Sequence, residues 1–134
     1  MIRLAVPAVL LLTAFSTSAA TEQRRPDASM ARVERTLAGL TPGTPQRCLS
    51  RDKVSELRTA RNVIVYVAGR DRAWRNDVVG EGCTGLTRGD VVVSESLVPG
   101  EYCAGDFIRT RARTGGMMSG SCSLGAFVPY TRQK

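Results

Sequence analysis

The chain has 134 residues, with 19 Lys or Arg against 12 Asp or Glu and a net charge of +7. Histidine is absent, which excludes Ser-His-Asp and Cys-His machinery and removes the commonest metal ligand. The length predicts one domain with a modest core, and scattered arginines with only 3 Phe, 3 Tyr and 1 Trp argue against sequence-specific nucleic-acid recognition.

Residues 1–20 read as a cleavable signal peptide. Arg3 supplies the positive start, residues 4–15 are apolar apart from Pro7 and Thr13, and Ser16, Thr17, Ser18, Ala19 and Ala20 supply small residues for cleavage. The cut is expected between Ala20 and Thr21. The apolar run is too short for a transmembrane span, which needs about 20 residues. No cysteine follows it to carry a lipid, and no Arg-Arg pair precedes it. A soluble, exported protein, periplasmic or secreted, is therefore expected. Removing Arg3 leaves 18 basic and 12 acidic residues, a net +6.

Residues 21–45 are expected to form a polar lead-in and a short helix. Asp27 is placed to cap it, and Met30, Val33, Leu37 and Leu40 recur at the spacing of one helix face. The Thr41-Pro42-Gly43-Thr44-Pro45 segment ends it. From residue 46 to 134 the pattern is that of a small β domain. Residues 54–59 alternate loosely, whereas 62–68 (NVIVYVA) are apolar on both faces and predict a central strand. A turn at 69–72 returns the chain through 73–79, with Trp74, Asn76 and Val78 on one face and Arg75 and Asp77 on the other. Residues 80–89 read as a loop, 90–94 as a strand, 99–100 as a turn and 106–110 as a strand. The Gly-, Arg- and Ser-rich segment 111–121 reads as a mobile loop, and 124–130 as the last strand. The whole predicts a mainly β fold: a small antiparallel barrel or sandwich of six or seven short strands, with one N-terminal amphipathic helix.

Four cysteines, Cys48, Cys83, Cys103 and Cys122, are separated by 34, 19 and 18 residues. An even number in an exported chain predicts two disulfides, with three pairings open. Zinc sites are built from close Cys-x-x-Cys pairs, and none occurs here. No metal and no cofactor are expected.

Four segments occur in order: LAGLTPGTPQRCLS (residues 37–50), RNVIVYV with WRND (61–67 and 74–77), YCAGDFI (102–108) and SLGAFVPY (123–130). Together they resemble a family of small exported proteobacterial proteins, the domain of unknown function 6491, over about residues 37–130. The resemblance brings no activity, cofactor or catalytic residue. It implies a Cys48–Cys103 bridge, which leaves Cys83 with Cys122.

Three kinds of site are open to these residues. Without histidine, acid–base catalysis would need paired carboxylates, with Asp77, Glu81, Glu101 and Asp106 as candidates. Asp106, just before an apolar strand, is better suited to a cap or an ion pair. Arg70, Arg72, Trp74 and Arg75 form a candidate binding patch at a hairpin, set against the expectation that a lone tryptophan packs in the core. Arg109, Arg111 and Arg113 alternate and would share one strand face. The functional expectation is a non-enzymatic binding or envelope-associated domain, with an anionic envelope polymer or an envelope protein as partner. The alternatives are a secreted inhibitor of a hydrolase or a carboxylate-based hydrolase.

Overall fold

The computed structural model describes residues 27–134. The signal peptide, its cleavage point between Ala20 and Thr21, and the lead-in as far as Pro26 lie outside these residues.

Helix α1 (Ala28–Leu37) starts where its sequence predicts. The Asp27 carboxylate accepts from the Ser29 backbone N–H at 2.9 Å, which satisfies one of the unpaired donors of the first turn. The helix buries Val33 completely, and Met30, Leu37 and Leu40 pack beside it.

Ten antiparallel strands follow: β1 (Thr41–Pro42), β2 (Cys48–Ser50), β3 (Glu56–Ala60), β4 (Val63–Ala68), β5 (Arg72–Asp77), β6 (Val91–Glu95), β7 (Glu101–Cys103), β8 (Phe107–Arg111), β9 (Met118–Ser123) and β10 (Phe127–Thr131). They form a five-stranded sheet in the order β1-β10-β5-β4-β3, a pair β2-β7, and a three-stranded sheet β6-β8-β9. Strand β4 explains the arrangement. Ile64 and Tyr66 point into a core shared by all three sheets, with Leu49, Trp74, Ile108, Cys122 and Phe127. Val63, Val65 and Val67 point the other way, beneath α1. A strand apolar on both faces must be covered on both, and here a sheet-lined core and a helix do so.

The mainly β, disulfide-stapled class with one N-terminal helix is as the sequence predicts. The strand count is higher, ten rather than six or seven. Strands β1, β2 and β7 have two or three residues each, too few to show alternation. The end of the 111–121 segment expected to be a mobile loop is instead the start of β9, whose Ser121 and Cys122 pair with Arg109 and Ile108. Its glycine is there for a close approach. A Cβ on Gly120 would collide with the Gly82 carbonyl oxygen. The 80–89 loop contains a short helix, α2 (Gly85–Arg88), stopped by Gly89 in the left-handed conformation at φ 72°.

Pro129 lies inside the five-stranded sheet without breaking it. Its carbonyl accepts from the Gly43 N–H at 2.7 Å, so the missing N–H would point the same way, past the end of β1. The ladder with β5 loses nothing.

Two disulfides staple the fold. Cys48–Cys103 joins directly opposed residues of β2 and β7, and Cys83–Cys122 ties the segment before α2 to β9. This is the pairing the resemblance implies.

Candidate functional site: an arginine-flanked groove

The Arg70, Arg72, Trp74, Arg75 patch does not exist as one surface. Trp74 is only 4 % exposed and belongs to the central core. Arg75, one residue on, points to the opposite face of β5, where its guanidinium pairs with Asp77 at 2.9 Å. Arg70 and Arg72 remain exposed at the hairpin, with the Arg72 guanidinium 6.0 Å from the indole. Strand alternation turns Arg75 away from the other three, and burial of the only tryptophan removes the stacking platform.

The arginine stripe is also divided. Arg109 pairs with Glu95 at 2.9 Å and lies over the Phe107 ring. Arg111 donates to the Gly116 carbonyl. Arg113 lies beyond the end of β8 and donates through Nε to the Gly89 carbonyl at 2.8 Å.

The four candidate carboxylates are dispersed. Asp77 is taken by Arg75. Asp106 is buried and accepts from the Cys103 backbone N–H at 2.8 Å, the capping role its position predicts. Glu101 lies beside the Cys103 sulfur. Glu81 lines a cleft of about 290 Å³ with Arg61 and Thr84. A second cleft, of about 480 Å³, contains Asp106 with Glu95, Leu97 and Phe107. A third contains none of the four, so none of the three clefts holds two of them. Cys48, Cys103 and Glu101 have donor atoms within 4.8 Å of one another, but both sulfurs are bonded to each other and are not thiolate ligands.

The third cleft is the largest of these, about 540 Å³. It runs between β3 and β6, the exposed edges of two different sheets. Glu56, Leu57, Arg58 and Thr59 line one side, and Gly89, Asp90, Val91 and Val92 line the other. Arg32 of α1 and Arg113 of the β8–β9 hairpin complete it.

Its two carboxylates are already engaged. Glu56 pairs with Arg58 at 3.0 Å, and this hydrogen bond holds its pKa below the usual carboxylate value. Arg58 also donates to the Thr36 hydroxyl at 2.9 Å, which fixes it to the helix. Asp90 pairs with Arg88 at 3.0 Å. Among the described residues, Arg32 and Arg113 have no carboxylate partner. The groove therefore offers two guanidiniums outside any salt bridge, although Arg113 also acts at longer range on the Asp90 carboxylate.

The floor under Asp90 is tightly built. The Ser119 hydroxyl donates to that of Thr110 at 3.1 Å, and both lie with the Asp90 carboxyl around Gly85. Only a glycine fits above them. A Cβ on Gly85 would lie 2.5 Å from the Ser119 oxygen, 2.6 Å from that of Thr110 and 2.7 Å from Asp90 Oδ2. This network orients Asp90 toward Arg88 and keeps the end of β6 in place.

Sequence reasoning does not find this groove. Arg32, Arg58 and Arg113 come from a helix, an edge strand and a hairpin far apart in the chain, and only folding brings them together. Arg113 drew notice for its spacing, but its strand face is not the reason it matters. No family model, no curated protein and no solved structure matches the chain.

Proposed function

We propose that this is an exported, soluble, non-enzymatic binding domain that holds an anionic partner in the groove between β3 and β6. The observation carrying the reading is the pair of guanidiniums, Arg32 and Arg113, that face the groove without a carboxylate partner among the described residues. A guanidinium offers a planar fork of donors matched to carboxylate, phosphate or sulfate. The net charge of +6 left after removal of residues 1–20 adds a long-range attraction of the same sign.

Three further features support it. Two disulfides fit an oxidising compartment. No described helix is long and apolar enough to cross a membrane. The dispersal of Asp77, Glu81, Glu101 and Asp106 gives a carboxylate mechanism no paired groups to use. An anionic envelope polymer or an acidic face of an envelope protein has the required chemistry, and membership in the resembled family of exported proteins belongs with this reading.

Retention on heparin resin tests it with a charge-matched control. Arg32→Ala with Arg113→Ala should elute at clearly lower salt than Arg70→Ala with Arg72→Ala, although both remove two positive charges. Equal elution would show that net charge alone governs retention and would remove the groove as the site.

A further inference from the structure

The groove is built from strand edges rather than sheet faces. Residues of one sheet face alternate along a strand, yet this groove is lined by four consecutive residues of β3 and four consecutive residues leading into β6. Strand β3 ends the five-stranded sheet and β6 begins the three-stranded one, and neither has a further strand partner on that side among the described residues.

The two edges differ in how well they are protected. Exposed edges are usually blunted by charged side chains, proline or a bulge. Strand β3 carries Glu56 and Arg58. Strand β6 reads Val91-Val92-Val93-Ser94-Glu95, with no proline and no charge before its last residue. The bulge of its sheet lies elsewhere, at Ser119 of β9, opposite the step from Thr110 to Arg111. Val91 and Val93 are 51 % and 39 % exposed and offer apolar contact along the same edge. Such a strand is a template for an added one.

The charges select what is added. Arg32 and Arg113 favour an acidic chain. A second copy of the exported protein, at net +6, would bring like charge to the same place. A polysaccharide or polyphosphate can meet the guanidiniums but has no main-chain ladder of N–H and C=O groups for the β6 edge.

We propose that the groove takes an extended acidic polypeptide segment, paired as an added strand along β6 with its carboxylates on Arg32 and Arg113. This rests on the reading of the groove as the anionic site and adds the class of partner.

Fluorescence anisotropy with a labelled hexapeptide of alternating valine and glutamate tests it on the intact protein. Four comparisons are needed: the peptide in which lysine replaces glutamate, two peptides N-methylated at alternate amides in opposite registers, and heparin. N-methylation removes main-chain donors and leaves the side-chain charge. The acidic peptide should bind, with affinity reduced at least about tenfold by lysine, by one N-methyl register, and by Arg32→Ala with Arg113→Ala. Amide exchange in β6 should slow in the complex.

Equal binding of both N-methylated peptides would overturn strand addition and leave an electrostatic groove. Heparin binding that depends on Arg32 and Arg113, without peptide binding, would overturn the peptide and leave the anionic site. Loss of both would overturn the two together. Dimerisation through β6 in sedimentation would show that a second copy occupies the edge and would also overturn the proposal.

Discussion

Asn76 is the buried side chain whose role is most completely determined by its partners. Its Nδ2 donates to the Gly125 carbonyl at 2.7 Å, and its Oδ1 accepts from the Gly125 N–H at 2.9 Å. One side chain thus satisfies both main-chain groups of the residue that turns the chain into β10. Asn76→Ala should lower stability in urea unfolding by about 2–3 kcal/mol, since two part-buried main-chain groups lose their partner. A loss under about 0.5 kcal/mol would show that water replaces the side chain freely. Asp90 carries the clearest pH dependence. The hydrogen bond from Ser119 comes first among the effects that hold its pKa below the usual value, burial acts against it, and the Arg88 pair adds to the lowering. The unfolded chain therefore takes up this proton at a higher pH than the folded one. The stabilisation is fully present above the unfolded value, about 3.9, and is lost as pH falls through the lower folded value. Asp90→Asn should flatten the acid limb of stability against pH relative to the parent. An unchanged slope below about pH 4 would place the acid sensitivity on other carboxylates. The face of β5 was legible because alternation alone separates Trp74 from Arg75. The Gly125 clamp was not, since its partners are 49 residues apart.

At the scale of elements, the disulfides reinforce segments that short hydrogen-bond ladders hold only in part. Strands β2 and β7 form an isolated pair of three residues each, and the 80–89 segment holds only a one-turn helix. The bridges close loops with sequence separations of 55 and 39. Chain entropy then assigns each about 4 kcal/mol, which native-state effects commonly reduce to about 2–4. Cys83→Ala with Cys122→Ala should therefore lower the unfolding free energy by about 2–4 kcal/mol, as should Cys48→Ala with Cys103→Ala. A pair of substitutions that left the denaturation midpoint unmoved would contradict a structural role for that bridge. Helix α1 and strand β4 were legible because their patterns are long: four apolar residues at helical spacing, and five consecutive buried residues. Strand β9 was not. Glycine and serine are read as loop formers, and here they are required where the Gly82 carbonyl presses on Gly120.

At the scale of the molecule, basicity set only the expectation of an anionic partner, and the fold supplies a place for it. The hairpin proposed from sequence loses its tryptophan to the core, while the gap between two sheet edges gathers arginines from three separate elements. Edge-to-edge proximity is a property of topology, and no local pattern in a single sequence encodes it. Mapping by heteronuclear NMR, with the acidic hexapeptide as probe, tests the location directly. The amides and side chains of Arg32, 56–59, 89–92 and Arg113 should shift on titration, while those of 69–75 should stay in place. Shifts confined to 69–75, with the groove residues unmoved, would contradict the account.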